Sequence, residues 1–121
     1  LTELVLRSLA ATASQLNLIE INPPLYGGIK CEGGAEVYET NHFGKTAYFT
    51  QSSQMYLEAM IPVVKRGVYC DVPSFRREKS RTKRHLTQFR HWECEMLGFY
   101  SMDEFITFLI SHLYVIKYLI L

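Results

Sequence analysis

The stretch from Ser74 to Met96 limits the fold more than any other: Ser-Phe-Arg-Arg-Glu-Lys-Ser-Arg-Thr-Lys-Arg-His-Leu-Thr-Gln-Phe-Arg-His-Trp-Glu-Cys-Glu-Met. Its two ends alternate apolar and polar residues with the period of a strand, while its middle is too charged to pair as one. The pattern predicts an antiparallel hairpin, with strands over 68–75 and 87–96, closed by a long basic loop. Seven of the 13 Lys and Arg residues lie here, at positions 76, 77, 79, 81, 83, 84 and 90, with His85 and His91 beside them. Cations this dense repel one another and call for a polyanion. A solvated charge run is the plain alternative. Against it, Phe89 and the carboxylates of Glu78, Glu93 and Glu95 are interleaved with the cations, which suits a nucleotide pocket better than a solvated face.

The rest of the chain reads as a small α+β domain built around that hairpin. At 121 residues it is long enough for one domain with a real core. Its formal net charge is only +1, so affinity for nucleic acid has to come from the local cluster. Three widely spaced cysteines, Cys31, Cys70 and Cys94, form no Cys-x-x-Cys and favour neither zinc nor a disulfide framework. Such usage suits a reducing cytosol, and no uncharged apolar stretch reaches the length of a membrane span.

Taken in order, Leu4, Val5, Leu9, Ala13 and Leu16 recur at helical spacing and predict a helix over 2–16. A short strand over 18–21 follows, stopped by Asn22-Pro23-Pro24, where the fixed φ and missing N–H groups end a ladder. Gly27-Gly28 and Gly33-Gly34 bracket Glu32, making a free loop that carries one carboxylate. Such a loop closes readily over an ammonium group; an exposed turn is the simpler reading. Strands are expected over 35–38 and 45–49, joined by a turn at 41–44. Ser52 or Ser53 caps a helix that runs to about Met60, before Pro62 ends it. Ser101 and Glu104 have the spacing of a capping box. The last helix is expected to bury Phe105, Phe108, Leu109, Leu113, Ile116 and Ile120 against the sheet.

Phe75-Arg76-Arg77-Glu78, Arg84-His85-Leu86, Phe89 and Glu93-Cys94-Glu95-Met96 together resemble motif 2 of the class II aminoacyl-tRNA synthetases, in the aspartyl/asparaginyl branch. The likeness extends upstream through Cys31-Glu32-Gly33-Gly34-Ala35 and Gln51-Ser52-Ser53-Gln54, and covers nearly the whole chain in the family's order. The helix, strand and proline at the front resemble motif 1. The resemblance implies a class II catalytic domain, an antiparallel sheet flanked by helices. Residues 1–121 would be its N-terminal part, from motif 1 through motif 2. By that resemblance the family's anticodon-binding barrel and Gly-rich motif 3 would fall outside residues 1–121, and the piece alone is expected to be inactive.

The same resemblance assigns roles. Amino-acid activation brings a carboxylate to the α-phosphate of ATP, so the site needs fixed cations more than a base. Arg76 is implied on the α-phosphate, where a guanidinium fork holds two oxygens at once. Arg84 and His85 are implied on the outer phosphates, Phe89 against the adenine, and Glu78 in the same pocket. Lys79, Ser80, Arg81, Thr82 and Lys83 are implied against the tRNA acceptor end, where basic side chains meet phosphates. Pro23 marks a homodimer interface. Glu32, Gln51, Gln54, Leu57 and Glu93 form the implied amino-acid pocket, with Glu32 and Gln51 on the α-amino group. Aspartate-specific members have lysine where this chain has Leu57, and Asp where it has Glu93. A carboxylate accepts a hydrogen bond from an amide and repels another carboxylate, so both positions favour asparagine. ATP and Mg2+ are the implied cofactors, with most Mg2+ ligands in the family's later motifs. Gln88 stands where the family has Glu, and Arg77 replaces a small residue. Three other readings stay open: an aspartate ligase of relaxed specificity, an ammonia-dependent asparagine synthetase, and a synthetase-derived RNA-binding module without catalysis.

Overall fold

The computed structural model describes residues 2–31, 36–80, 82–98 and 101–120, without the side chains of residues 115, 116 and 118–120. The described elements are α1 (Thr2–Gln15), β1 (Ile19–Glu20), β2 (Tyr26–Gly27), β3 (Glu39–His42), β4 (Lys45–Phe49), α2 (Gln54–Val64), β5 (Val68–Phe75), β6 (Gln88–Glu95) and α3 (Met102–Ile120). The architecture is the expected α+β, with its strands in two three-stranded sheets rather than one.

The first sheet has the order β1-β5-β6. Its centre is the predicted hairpin, with β5 and β6 antiparallel from Val68↔Glu95 to Phe75↔Gln88. β1 adds to β5 in parallel, the one parallel pair among described strands that are otherwise antiparallel, as expected. The chain returns to β5 only after the second sheet and α2, so β1 and β5 can point the same way, as any long crossover permits. Gly67 enters β5 at the crowded junction: a Cβ there would stand 2.5 Å from Leu18 Cδ2 and 3.1 Å from Met96 Cγ.

The second sheet, β2-β4-β3, is antiparallel. Its hairpin turns at Phe43 (φ 50°) and Gly44 (φ 80°), the two positive φ values of the tight turns that match strand twist. Asn41 Oδ1 accepts the Gly44 N–H at 2.8 Å. The hairpin partner of β4 is 39–42, not the expected 35–38, of which Ala35 lies outside the described residues. All four residues of β3 are exposed, so no core-facing alternation marks that strand in the sequence. The sheets meet where the Phe75 N–H donates to Thr50 O at 2.8 Å and the Phe49 and Phe75 rings stand 5.2 Å apart.

That junction sends residues 50–53 across to the near face of the first sheet, where α2 begins. Leu57 on α2 is fully buried with Val68 and Cys70, and Ile19, Ile21, Met60, Ile61, Val64 and Val72 pack around them. Pro62 sits inside α2, which continues to Val64 instead of stopping at Met60. The proline lies in the last turn, and Lys65, left-handed at φ 54°, closes the helix through its N–H on Ile61 O at 2.7 Å.

α3 starts as expected, with the Glu104 N–H donating to Ser101 Oγ at 3.2 Å. Its packing is not as expected. It lies against α1 rather than the sheet, whose near face α2 occupies. Phe105 and Leu109 remain about two-fifths exposed and Leu113 more so, with only Phe108 half-buried among the described side chains of that stripe. Ile116 and Ile120 have side chains outside the described set.

Candidate active site

The register of the β5–β6 hairpin decides what the site contains. Ser74↔Phe89, Val72↔His91, Cys70↔Glu93 and Val68↔Glu95 are opposed pairs two residues apart, so all eight side chains share one face. The Val68 and Cys70 end of this face is core beneath Leu57. Towards the other end, the Phe89 ring stands 5.6 Å from the His91 ring. His91 Nδ1 lies 3.1 Å from Ser74 Oγ and 3.2 Å from Glu93 Oε1. One unbroken row of contacts therefore runs from Phe89 to Glu93.

Phe89 lines a cleft of about 440 Å³, together with Arg76, Glu78, Arg84 and His85. These are the five residues expected around ATP, and the fold brings all five to one opening. Ser80, Leu86 and Thr87 complete the lining. Arg76 directly follows β5, and its N–H extends the ladder by donating to Thr87 O at 2.9 Å. Its guanidinium carbon is 6.0 Å from the centre of the Phe89 ring, and Nη1 is 3.8 Å from Glu78 Oε1. Arg76 Nε is buried with no hydrogen-bond partner among the described residues. An orphaned guanidinium donor at a cleft calls for an anion, and the neighbouring aromatic face suits a flat base. The residues present thus fit a nucleotide phosphate, and the volume lies within the range of ordinary small-molecule sites.

The expected amino-acid residues are divided by the fold. Glu93 and the Gln51–Gln54 loop meet. Glu93 Oε2 accepts the Ser52 hydroxyl at 2.5 Å, and Oε1 accepts the Ser53 N–H at 2.8 Å. Gln51 is buried: its Nε2 donates to Glu36 O at 3.3 Å, while Oε1 has no partner among the described residues. Gln54 turns outward along α2 to donate to Glu58 at 2.8 Å. Leu57 has no exposed surface and packs in the core. Glu32 lies outside the described residues.

The expected tRNA-facing residues are exposed, apart from Arg81, which lies outside the described set. Ser80 lines the main cleft, and Thr82 Oγ1 pairs with His85 Nδ1. Lys79 instead lines a second cleft with Arg77, Lys30, Glu36 and Glu39. Pro23 is buried by its own chain, so a partner there would meet its neighbours first. Cys70 and Cys94 carry free thiols, and the Cys94 thiol is pushed up to about 11 by burial, then by the Glu95 and Cys70 charges. A thiol so reluctant to ionise is neither nucleophile nor ready metal ligand. Among the described residues no group of three or more His, Cys, Asp or Glu side chains is placed to hold a metal. No helix there is long and apolar enough to cross a membrane.

Ser52, Ser53, Ser74 and His91 are the site residues the sequence reading missed. The two-residue step from Phe89 through His91 to Glu93 was the available signal for His91. Nothing local foretold that Ser52 would meet a carboxylate 41 residues away.

Glu95, at the far end of the same face, has its carboxyl pushed up by burial, then by the charges of Glu58 and Glu93. The folded chain therefore binds this proton more tightly than the unfolded chain. Stability falls as pH rises through that window, and the ionised form costs stability at neutral pH. Glu95→Gln is expected to raise the melting temperature at neutral pH. That gain should shrink as pH is lowered toward the ordinary carboxylate range, which parallel melts of both proteins across pH would show.

A hairpin of this register, framing an arginine and phenylalanine cleft beside a helix start, is the arrangement expected of a class II synthetase. The family described as tRNA synthetases class II (D, K and N) matches residues 2–118, and the chain belongs to it. Within that family it is similar to asparagine ligases. It is 38% identical over 117 residues to the cytoplasmic asparagine–tRNA ligase of Debaryomyces hansenii, covering 96% of this chain and 21% of that protein. Against the probable cytoplasmic asparagine–tRNA ligase of Schizosaccharomyces pombe it is 45% identical over 101 residues, 84% of this chain and 17% of the relative. Asparaginyl-tRNA synthetase of Pyrococcus horikoshii, solved with asparaginyl-adenylate, superposes with a TM-score of 0.86 at 32% identity, over 97% of this chain and 26% of that one. A putative aspartyl-tRNA synthetase of Leishmania major also superposes, with a TM-score of 0.81 at 26% identity, over 97% of this chain and 22% of that one. The chain thus spans about a fifth of the length of the curated relatives it matches.

Proposed function

We propose that residues 1–121 form the part of a catalytic domain running from motif 1 through motif 2, in an asparagine–tRNA ligase that activates asparagine with ATP and transfers it to tRNA. The convergence of Arg76, Glu78, Arg84, His85 and Phe89 on one cleft, with Arg76 Nε left without a partner, carries this reading. ATP supplies the electrophilic phosphorus and the pyrophosphate leaving group. Arg76 neutralises the α-phosphate as the asparagine carboxylate approaches, Arg84 and His85 hold the outer phosphates, and Phe89 carries the adenine against its ring. Glu93, the next residue along that face beyond His91, accepts a hydrogen bond from the side-chain amide of asparagine. Lys79 to Lys83 meet the acceptor end of the tRNA. Mg2+ and a homodimer formed near α1 belong to the same proposal, with the metal's ligands mostly on later motifs. The named relatives are cytoplasmic ligases, and the same compartment is proposed for this protein.

The test is ATP–pyrophosphate exchange by the full-length protein with asparagine, aspartate or lysine supplied singly. Asparagine should support exchange about a hundredfold better than aspartate or more, the order set by facing two desolvated carboxylates. Exchange driven equally by aspartate would refute the substrate assignment, and exchange driven by lysine would refute the branch.

A further inference from the structure

Ser52 is more constrained than a helix-cap serine needs to be. Its carbonyl accepts two hydrogen bonds, from Thr50 Oγ1 at 3.0 Å and from Cys31 Sγ at 3.1 Å. Its hydroxyl donates to Glu93 Oε2 at 2.5 Å and accepts the Gln54 N–H at 3.2 Å. Four contacts fix one small residue, which is only 6% exposed. The hydroxyl proton points at Glu93, because an ionised carboxylate oxygen at hydrogen-bond distance can only accept.

Glu93 in turn is held at both oxygens. Oε1 accepts the Ser53 N–H at the start of α2, where the helix favours negative charge, and His91 Nδ1 stands 3.2 Å away. Oε2 accepts only Ser52 among the described residues, so it keeps a free acceptor direction. We infer that Ser52 is a positioning residue for specificity. Its hydroxyl fixes the rotation of the Glu93 carboxylate, so that the free lone pair of Oε2 faces the side-chain amide of asparagine. This rests on the proposed reading of Glu93 as the amide acceptor. Without the hydroxyl, the carboxylate is pinned at one oxygen and can turn about the Ser53 bond. The acceptor direction is then no longer fixed, and the amide loses its advantage over a carboxylate.

The experiment is pyrophosphate exchange by full-length wild type, Ser52→Ala and Ser52→Thr, with kcat/KM measured separately for asparagine and aspartate and KM measured for ATP. Wild type decides the functional reading alone: no preference for asparagine defeats that reading, whatever the variants do. Given the preference, Ser52→Ala should lower the asparagine-to-aspartate ratio by about tenfold or more, the loss expected for one hydrogen bond to a charged group. KM for ATP should stay near wild type, since Ser52 lines no part of the nucleotide cleft. Ser52→Thr keeps the hydroxyl and should keep the ratio. An unchanged ratio in Ser52→Ala overturns the inference, and so does a Ser52→Thr ratio as low as that of alanine. If Ser52→Ala does not fold, Ser52→Cys takes its place as an isosteric, weaker donor. It should lower the ratio in the same direction, and a wild-type ratio there overturns the inference equally.

Discussion

Arg76→Ala should reduce the rate of asparagine activation by about a hundred- to a thousandfold, the usual cost of deleting one preorganised charge-stabilising donor. The reason lies in the cleft. Arg76 combines a fixed backbone, tied to Thr87, with a buried Nε that no described group satisfies. Such a donor is held ready for charge that arrives with the reaction, so its loss should fall mainly on kcat. Arg76→Lys should recover little, because one ammonium cannot replace the two-pronged contact of a guanidinium. Single-turnover formation of the adenylate separates this step from tRNA transfer. An Arg76→Ala protein with a near-normal rate and a raised KM alone would place the arginine in ground-state binding only.

Glu93→Gln should collapse the preference for asparagine, and the structure adds a second effect. Both carboxylate oxygens accept from the α2 start, one from Ser52 and one from Ser53. A glutamine fills one of those places with an NH2 group, which sets donor against donor in a largely enclosed spot. The helix start also loses its negative partner, a contribution of about 0.3–1 kcal/mol on an exposed helix and up to ~2 kcal/mol when partly buried. Glu93→Gln should therefore lower both the asparagine-to-aspartate ratio, by about tenfold or more, and the melting temperature. Exchange kinetics and a thermal melt on the same preparation check the pair. A lowered melting temperature with intact selectivity would leave Glu93 as a helix-anchoring residue.

The parts of this fold that were legible in the sequence are those where one periodicity meets one environment. β5 alternates from a half-buried face to a buried one, and its limits, Val68–Phe75, coincide with the prediction. β6 is shorter by one residue at each end, and α1 by one at its end. β2 has two residues, and β3 is exposed on both faces, so neither carries a pattern. The parallel pairing of β1 depends on what α2 and the second sheet leave open, which no local stretch encodes. The apolar stripe of α3 shows that something covers part of it; the described residues place α1 there and leave Phe105, Leu109 and Leu113 exposed. The nucleotide residues were legible because their types and order are specific to the chemistry. Ser52 and Ser53 read as helix caps: Ser52 Oγ does accept the Gln54 N–H, while Ser53 holds the cap position with no side-chain cap bond. That their cap partner is Glu93 is a fact of the tertiary fold.

The most direct measurement is charging of purified tRNA by the full-length protein, with the esterified amino acid identified by mass spectrometry. Asparagine attached to the tRNA that reads asparagine codons is the predicted result, with aspartate on that tRNA at the level of a trace. Aspartate as the main ester, or asparagine made from aspartate and ammonia with no tRNA charged, would contradict the account.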